Sequence, residues 1–304
     1  MRGKLQNLGH LCGIFSKRND DFNILRKQTK KELRKHRDNA YKREIISRVR
    51  ASQYLTGPYS EIDEATQFIN EQSDLVYIRL EKITTINGWS YGSDREPLTT
   101  TAEELIQNPK LHFRQTTLHR FYKAFQPKTF AESFFIEGFQ ELDTILPYYY
   151  FRPWIHSKPS PHLSGELFGP KHDSNVQHRV YRMINLIELL SKYSYIPTMD
   201  DIITGYVLKR ADDFRLVLSA GHHRMAVISA LARLGFVQND RLLVKIDKMH
   251  AQKSGGEIDQ NWLFDRQDSK RWPAVALGYI SEKGALKIFD SFFCDQELSV
   301  VATH

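Results

Sequence analysis

The sequence predicts an α/β chain with strands and helices intermixed in the α+β manner, and three observations carry that expectation. Short β-rich runs at residues 75–80, 204–208, 214–219 and 242–246 alternate with segments of helical period. Residues 176–193 repeat apolar side chains at Val180, Met183, Ile184, Ile187 and Leu190, which fall on one helical face. The run 214–219 breaks directly into Gly221-His222-His223-Arg224, and an alanine-rich helical pattern follows and closes on Gly235.

The first stretch of the chain is strongly basic. Residues 1–54 hold 15 Lys and Arg against 5 Asp and Glu, whereas the remaining 250 residues hold 28 against 31. The net charge of +7 therefore describes a nearly neutral body carrying a basic segment. Residues 17–50 contain no glycine or proline and read as one or two helices with a thin apolar stripe at Ile45, Ile46 and Val49. Such a segment suits a solvated helix, an anionic membrane face or, less well, a nucleic-acid backbone. The division expected is a basic helical segment, 1–54, and one α/β domain, 55–304.

After a turn at Gly57-Pro58, residues 60–68 begin as a helix with acids in the first turn. A strand at 75–80 leads to turns at Asn87-Gly88 and Tyr91-Gly92-Ser93. Helices are expected at 101–107, at 118–125 before Pro127, and at 129–139. Residues 146–170 carry Pro147, Pro153, Pro159, Pro161 and Pro170 among tyrosines 148–150, Phe151 and Trp154. A long aromatic loop of this kind either packs onto the body or serves a ligand. The helix at 176–193 follows, then a strand at 204–208, a turn at Asp212-Asp213, the strand at 214–219, the helix closing on Gly235, and the strand at 242–246. Trp262, Phe264, Trp272, Phe289, Phe292 and Phe293 read as a packing extension of the core.

Composition narrows the setting. Cys12 and Cys294 give neither a disulfide framework nor a metal-ligand spacing. No apolar run reaches the roughly 18 residues of a spanning helix, and no signal peptide is recognised. A cytoplasmic protein with reduced thiols is the expectation, with peripheral attachment at the inner membrane face through 17–50 as an addition.

The chemistry is expected at the strand-to-helix turn. A helix N-terminus presents free backbone N–H groups and the positive end of a dipole, so Gly221, His222, His223 and Arg224 sit where an anion binds. The planar Arg224 fork matches two phosphate oxygens at once. Imidazole titrates near neutral pH, so His222 and His223 are candidates for acid/base work or for N–H bonds to phosphate, with the family motif given below favouring His223. Arg182 on the preceding helix, and Gly169 and Lys171 before it, are further candidates for holding an anionic ligand. Asp173 has no second metal ligand at diagnostic spacing. Magnesium enters only as the companion of a phosphorylated donor.

The order helix, strand, turn, strand, Gly221-His222-His223-Arg224, helix, strand resembles the ParB/sulfiredoxin-like superfamily over roughly residues 165–250. Members carry a G-x-H-R or G-x-x-R loop that cradles phosphate groups. His222 stands where sulfiredoxins have a cysteine, so redox chemistry is not implied. Residues 251–304 are too short for the DNA-binding addition of chromosome-partition proteins. Phe168-Gly169-Pro170, Arg182-Met183 and Gly221-His222-His223-Arg224-Met225-Ala226 are more similar to a group associated with bacterial surface-polysaccharide assembly. That group has an acidic residue three positions before the helix arginine, where this chain has Arg179. The resemblance implies a transferase, with a phosphorylated donor such as phosphoribosyl pyrophosphate or a nucleotide and a glycan or lipid-linked glycan as acceptor. A ParB-like nucleotide-dependent DNA-binding protein, a kinase-like phosphotransferase and a non-enzymatic scaffold are the alternatives.

Overall fold

Alternation along two adjacent strands organises the architecture. In this computed structural model, residues 74–93, 96–147, 151–158, 168–197, 201–237, 241–247, 249–252 and 258–294 are described. The basic segment, the helix expected at 60–68 and tyrosines 148–150 lie outside them. In chain order the elements are β1 (Leu75–Arg79), β2 (Ile83–Thr84), α1 (Pro97–Gln107), α2 (Thr117–Ala124), α3 (Phe130–Ser133), α4 (Gln140–Asp143), α5 (Asp173–Tyr193), β3 (Thr204–Arg210), β4 (Asp213–Ala220) and α6 (His222–Arg233). Then come β5 (Arg241–Ile246), β6 (Met249–Gln252), β7 (Ile258–Asn261), β8 (Leu263–Asp265), α7 (Pro273–Ala276) and α8 (Glu282–Ser291). The result is a mixed α+β fold.

Six strands form one mixed sheet in the order β1-β5-β3-β4-β2, with β8 also paired to β3. β3 and β4 make an antiparallel hairpin that turns at Ala211-Asp212, where Ala211 has φ 53°. β5 runs parallel to β3 at Thr204 and Gly205, and β8 takes over as the parallel neighbour from Val207 to Lys209. β1 closes one edge antiparallel to β5, and β2 closes the other parallel to β4. β6 and β7 form a separate antiparallel pair.

Both faces of the hairpin are buried, and the two-residue period of a strand divides its side chains between two cores. Val207, Leu216 and Leu218 join one apolar cluster with Val180, Met183, Met225, Val227 and Leu231. Tyr206, Leu208 and Val217 point the other way, to a cluster with Phe130, Phe151, Trp154, Phe264, Trp272, Phe289 and Phe292. Helices α1, α5 and α6 pack together on the first face. The C-terminal aromatics therefore cover the second face, as the sequence suggests, with Trp262 instead joining the first cluster. Trp154 is 1% exposed and meets Phe289 and Trp272 edge-on at 5.3 and 5.6 Å. The ligand-stacking alternative for Trp154 is thereby excluded.

Two boundaries differ from the sequence reading. The helix expected at 129–139 is reduced to α3 (Phe130–Ser133), because Phe135 and Gly138 take left-handed conformations with φ 55° and 69° and α4 starts only at Gln140. Helix α1 starts four residues earlier than expected. Glu96 is its N-cap and Pro97 its first residue, a position where the missing proline N–H costs nothing. Helix α6 ends at Gly235 (φ 78°), with the Phe236 N–H bonded to the Leu231 carbonyl, as the closing glycine implies.

Gly205 is required by close approach, since a Cβ there would lie 2.5 Å from the Val217 carbonyl oxygen across the hairpin. Gly205→Ala is expected to lower the unfolding free energy by about 2 kcal/mol through overpacking of this strand pair. Gly278→Ala, with open space around its Cβ but φ 68°, should cost only about 1 kcal/mol. Urea denaturation of the two variants measures the difference.

Candidate functional site

At the end of β4 the chain enters α6 through Gly221, whose φ of 94° is left-handed. A side chain there would be strained by that backbone, and its Cβ would press on Ile203 Cγ1 at 3.0 Å. No side chain caps the helix. The first-turn N–H groups of α6 are thus presented without a side-chain acceptor, beside a cavity of about 380 Å³.

Four further segments complete the cavity wall. Helix α5 contributes His178, Arg179 and Arg182, which share a face because they lie three or four residues apart. The loop after β2 contributes Asn87, Trp89 and Tyr91. The start of α1 supplies Glu96, and α2 supplies Phe121 and Tyr122. The lining therefore combines cationic and aromatic side chains.

Hydrogen bonds tie these walls together. Tyr91 Oη lies 2.8 Å from His222 Nδ1, and the Ser229 hydroxyl of α6 donates to the Tyr91 carbonyl. Arg224 lines the cavity, but its guanidinium is directed to Asp201. Nη1 donates to the Asp201 carbonyl at 2.5 Å, and Nη2 donates to its carboxylate. The fork assigned to phosphate from sequence thus anchors the chain entering β3. Arg179 and Arg182 make no ion pair among the described residues, and Arg179 lies 5.9 Å from the Tyr122 ring centre. Two buried polar atoms at the cavity residues have no hydrogen-bond partner: His223 Nε2 and Trp89 Nε1.

Burial sets the protonation states. Desolvation, helped by Arg179, pushes His222 down to about 4. Desolvation pushes His223 down to about 3, with Arg179, Arg182, His222 and His178 adding to it. Both rings are therefore neutral at neutral pH, able to donate or accept a hydrogen bond without bringing charge. His223, the acid/base candidate, is thus neutral at pH 7. Glu96, 2% exposed, moves the opposite way, up to about 7, because burial outweighs its hydrogen bonds from Thr99 and the Leu98 backbone.

Among the residues expected from sequence, Gly221, His222, His223, Arg224 and Arg182 come together here. Gly169 and Lys171 are not part of the lining. The Gly169 N–H is bonded to the Phe125 carbonyl at 2.8 Å, and a Cβ on it would overlap the Tyr122 carbonyl oxygen, so this glycine serves packing against the end of α2. Asp173 is held in a surface network by Arg114 at 2.9 Å and His119 at 3.2 Å, contacts that keep its carboxyl below the usual range. Among the described residues no three His, Cys, Asp or Glu side chains cluster as metal ligands would, and no helix is long and apolar enough to cross a membrane.

Sequence reasoning missed Glu96, Tyr91, Trp89 and Arg179 as cavity residues. The order Glu96-Pro97-Leu98-Thr99 is a helix-start signal that would have found the cap. Nothing local announces that this cap faces helix α5. Set against models of known protein families, curated proteins and solved structures, the chain matches none.

The protonation states make stability depend on pH in two opposed ways. His222 and His223, and His156 pushed to about 4 by burial and Arg152, hold folded values below their ordinary 6.5. The unfolded chain then binds more protons, so their contribution is present above pH 6.5 and is lost as pH falls toward 4. Glu96 is raised from its ordinary 4.5 to about 7, so its contribution is present below pH 4.5 and is lost as pH rises through 7. His223→Gln should flatten the acid-side loss, and Glu96→Gln should remove the loss between 4.5 and 7. Urea midpoints across a pH series would show both effects.

Proposed function

We propose that the protein is a group-transfer enzyme whose cavity binds a phosphorylated small molecule and transfers part of it, as a phosphoribosyl or glycosyl transferase does. The observation that supports this most is the convergence of Arg179 and Arg182, neither engaged in an ion pair among the described residues, with the uncapped start of α6 on a single cavity. Two guanidinium groups and a helix N-terminus favour a doubly charged oxyanion over a neutral ligand. His223, neutral and with Nε2 lacking a partner, adds a hydrogen bond to that oxyanion.

In this reading the phosphate lies between α5 and the start of α6, and the organic part of the ligand lies toward Trp89, Phe121 and Tyr122. Group transfer to a hydroxyl acceptor places growing negative charge on the departing phosphate or pyrophosphate. Arg179, Arg182 and the α6 N–H groups line the cavity where that charge develops, and donors aimed at developing charge lower a barrier. Arg224 acts at one remove, holding Asp201 and so the wall behind Gly221. The basic residues 17–50 fit the same reading as an attachment to an anionic membrane face, where a lipid-linked glycan acceptor would be found.

Phosphoribosyl pyrophosphate, nucleotides and nucleotide-sugars are the ligands to screen by thermal denaturation. A ligand at about one hundred times its Kd stabilises by about 2.7 kcal/mol and should raise the melting temperature clearly. Arg182→Ala should weaken that ligand about ten- to hundredfold, the usual cost of losing a charge-assisted hydrogen bond. Failure of every ligand to stabilise the wild type beyond Arg182→Ala would sink the reading.

A further inference from the structure

The cavity contains one carboxyl group, and its placement is unlike that of a carboxylate serving an ion pair. Glu96 is buried at the N-cap of α1, and its Oε2 accepts hydrogen bonds from the Thr99 N–H at 2.6 Å and the Thr99 hydroxyl at 2.9 Å. Those two bonds fix the rotamer, and Glu96 lines the same cavity as Arg179, Arg182 and the start of α6. No arginine, lysine or histidine lies within ion-pair distance of it among the described residues.

The charges on the neighbouring elements are directed elsewhere. On α1, Glu103 pairs with Arg233 of α6 at 3.0 Å, and Glu104 pairs with Arg120 of α2 at 2.8 Å. His119 and Lys123 of α2 face Asp173, and Arg224 of α6 faces Asp201. His178, Arg179 and Arg182 of α5, and His222 and His223 of α6, are the titratable and charged groups that share the cavity with Glu96. Burial, not a neighbouring charge, is the leading cause of its raised protonation equilibrium.

We propose that Glu96 is the proton-carrying catalytic residue of this site, a carboxyl that meets the bound anion and exchanges one proton as the anion enters and as the transfer proceeds. The proposal rests on the anion-binding reading of the cavity. An incoming phosphate favours the neutral acid, so anion binding draws a proton onto Glu96. In the transfer, Glu96, neutral beside the bound donor, gives its proton to the departing phosphate, and the acceptor hydroxyl, as its oxygen bonds to the transferred group, returns a proton to the carboxylate. The donor's bond to that group breaks, and its electron pair leaves with the phosphate. A buried carboxyl that titrates near neutrality is matched to this task. His222 and His223, neutral at this pH, are left as hydrogen-bonding groups.

Inorganic sulfate, whose double charge does not change between pH 6 and pH 8, is the probe, with calorimetric binding to the full-length wild type, Glu96→Gln and Arg182→Ala. Wild type should bind sulfate about tenfold more weakly at pH 8 than at pH 6, as one group titrating near 7 requires. Glu96→Gln keeps an oxygen for Thr99 and should show less than about a twofold change, with binding at pH 8 as tight as the wild type at pH 6. Equal pH dependence in wild type and Glu96→Gln overturns the proposal while leaving the anion site intact. No sulfate binding by wild type, or equal binding by Arg182→Ala, removes the anion site itself and the proposal with it. If Glu96→Gln does not fold, wild-type calorimetry at pH 7 in buffers of different ionisation enthalpy decides. Uptake of about half a proton per sulfate supports the role of Glu96, and zero uptake overturns it.

Discussion

The structure depends on the β3–β4 hairpin being buried on both faces. A hairpin at a surface can leave one row of side chains to water, but this one assigns Val207, Leu216 and Leu218 to one core and Tyr206, Leu208 and Val217 to the other. Described helices and loops on either side cover those rows. On one side α1, α5 and α6 supply the cover, and the spaces between their ends form the cavity. On the other, Phe130, Phe134, Phe151 and Trp154 supply it together with the C-terminal aromatics. The same requirement explains Gly205, where the two strands come too close for a side chain.

Much of this was legible in the sequence where the signal was local. The period of 176–193 predicted α5, the switch at Gly221 marked the start of α6, and the closing glycine was read correctly at Gly235. The helix at 129–139 was misread because Phe135, not a usual left-handed residue, takes φ 55° and breaks the pattern. Site residues on the motif itself, Gly221 to Arg224, were found together with Arg182. The orientation of Arg224 was not, because Asp201 lies on another segment and only the fold brings the pair together. Glu96 was missed for the same kind of reason, since burial is decided by α2 and α5, which lie elsewhere in the sequence.

Electrostatically the cavity differs from a simple basic pocket. Its imidazoles have been made neutral by burial and by the arginines beside them, so the permanent charge belongs to Arg179 and Arg182. Adjacent histidines that both ionised would repel each other and the arginines. Keeping them neutral removes that repulsion while preserving their hydrogen-bonding capacity. Tyr91 gives His222 a fixed partner, and His223 Nε2 has none. Two neighbouring residues of one type thus differ, one tying α6 to the loop after β2 and the other presenting an unpartnered ring nitrogen.

The bond between Tyr91 and His222 spans 131 residues, and that between Ser229 and the Tyr91 carbonyl spans 138. A cavity whose opposite walls are this distant in sequence cannot assemble on a local scaffold. Its formation must await closure of most of the chain, which places it among the late, entropy-limited events of folding. Excising residues 165–250 as a minimal module would retain the glycine turn and both arginines of α5. It would also strip away Trp89, Tyr91, Glu96 and Phe121, leaving the glycine turn without the other wall of the cavity.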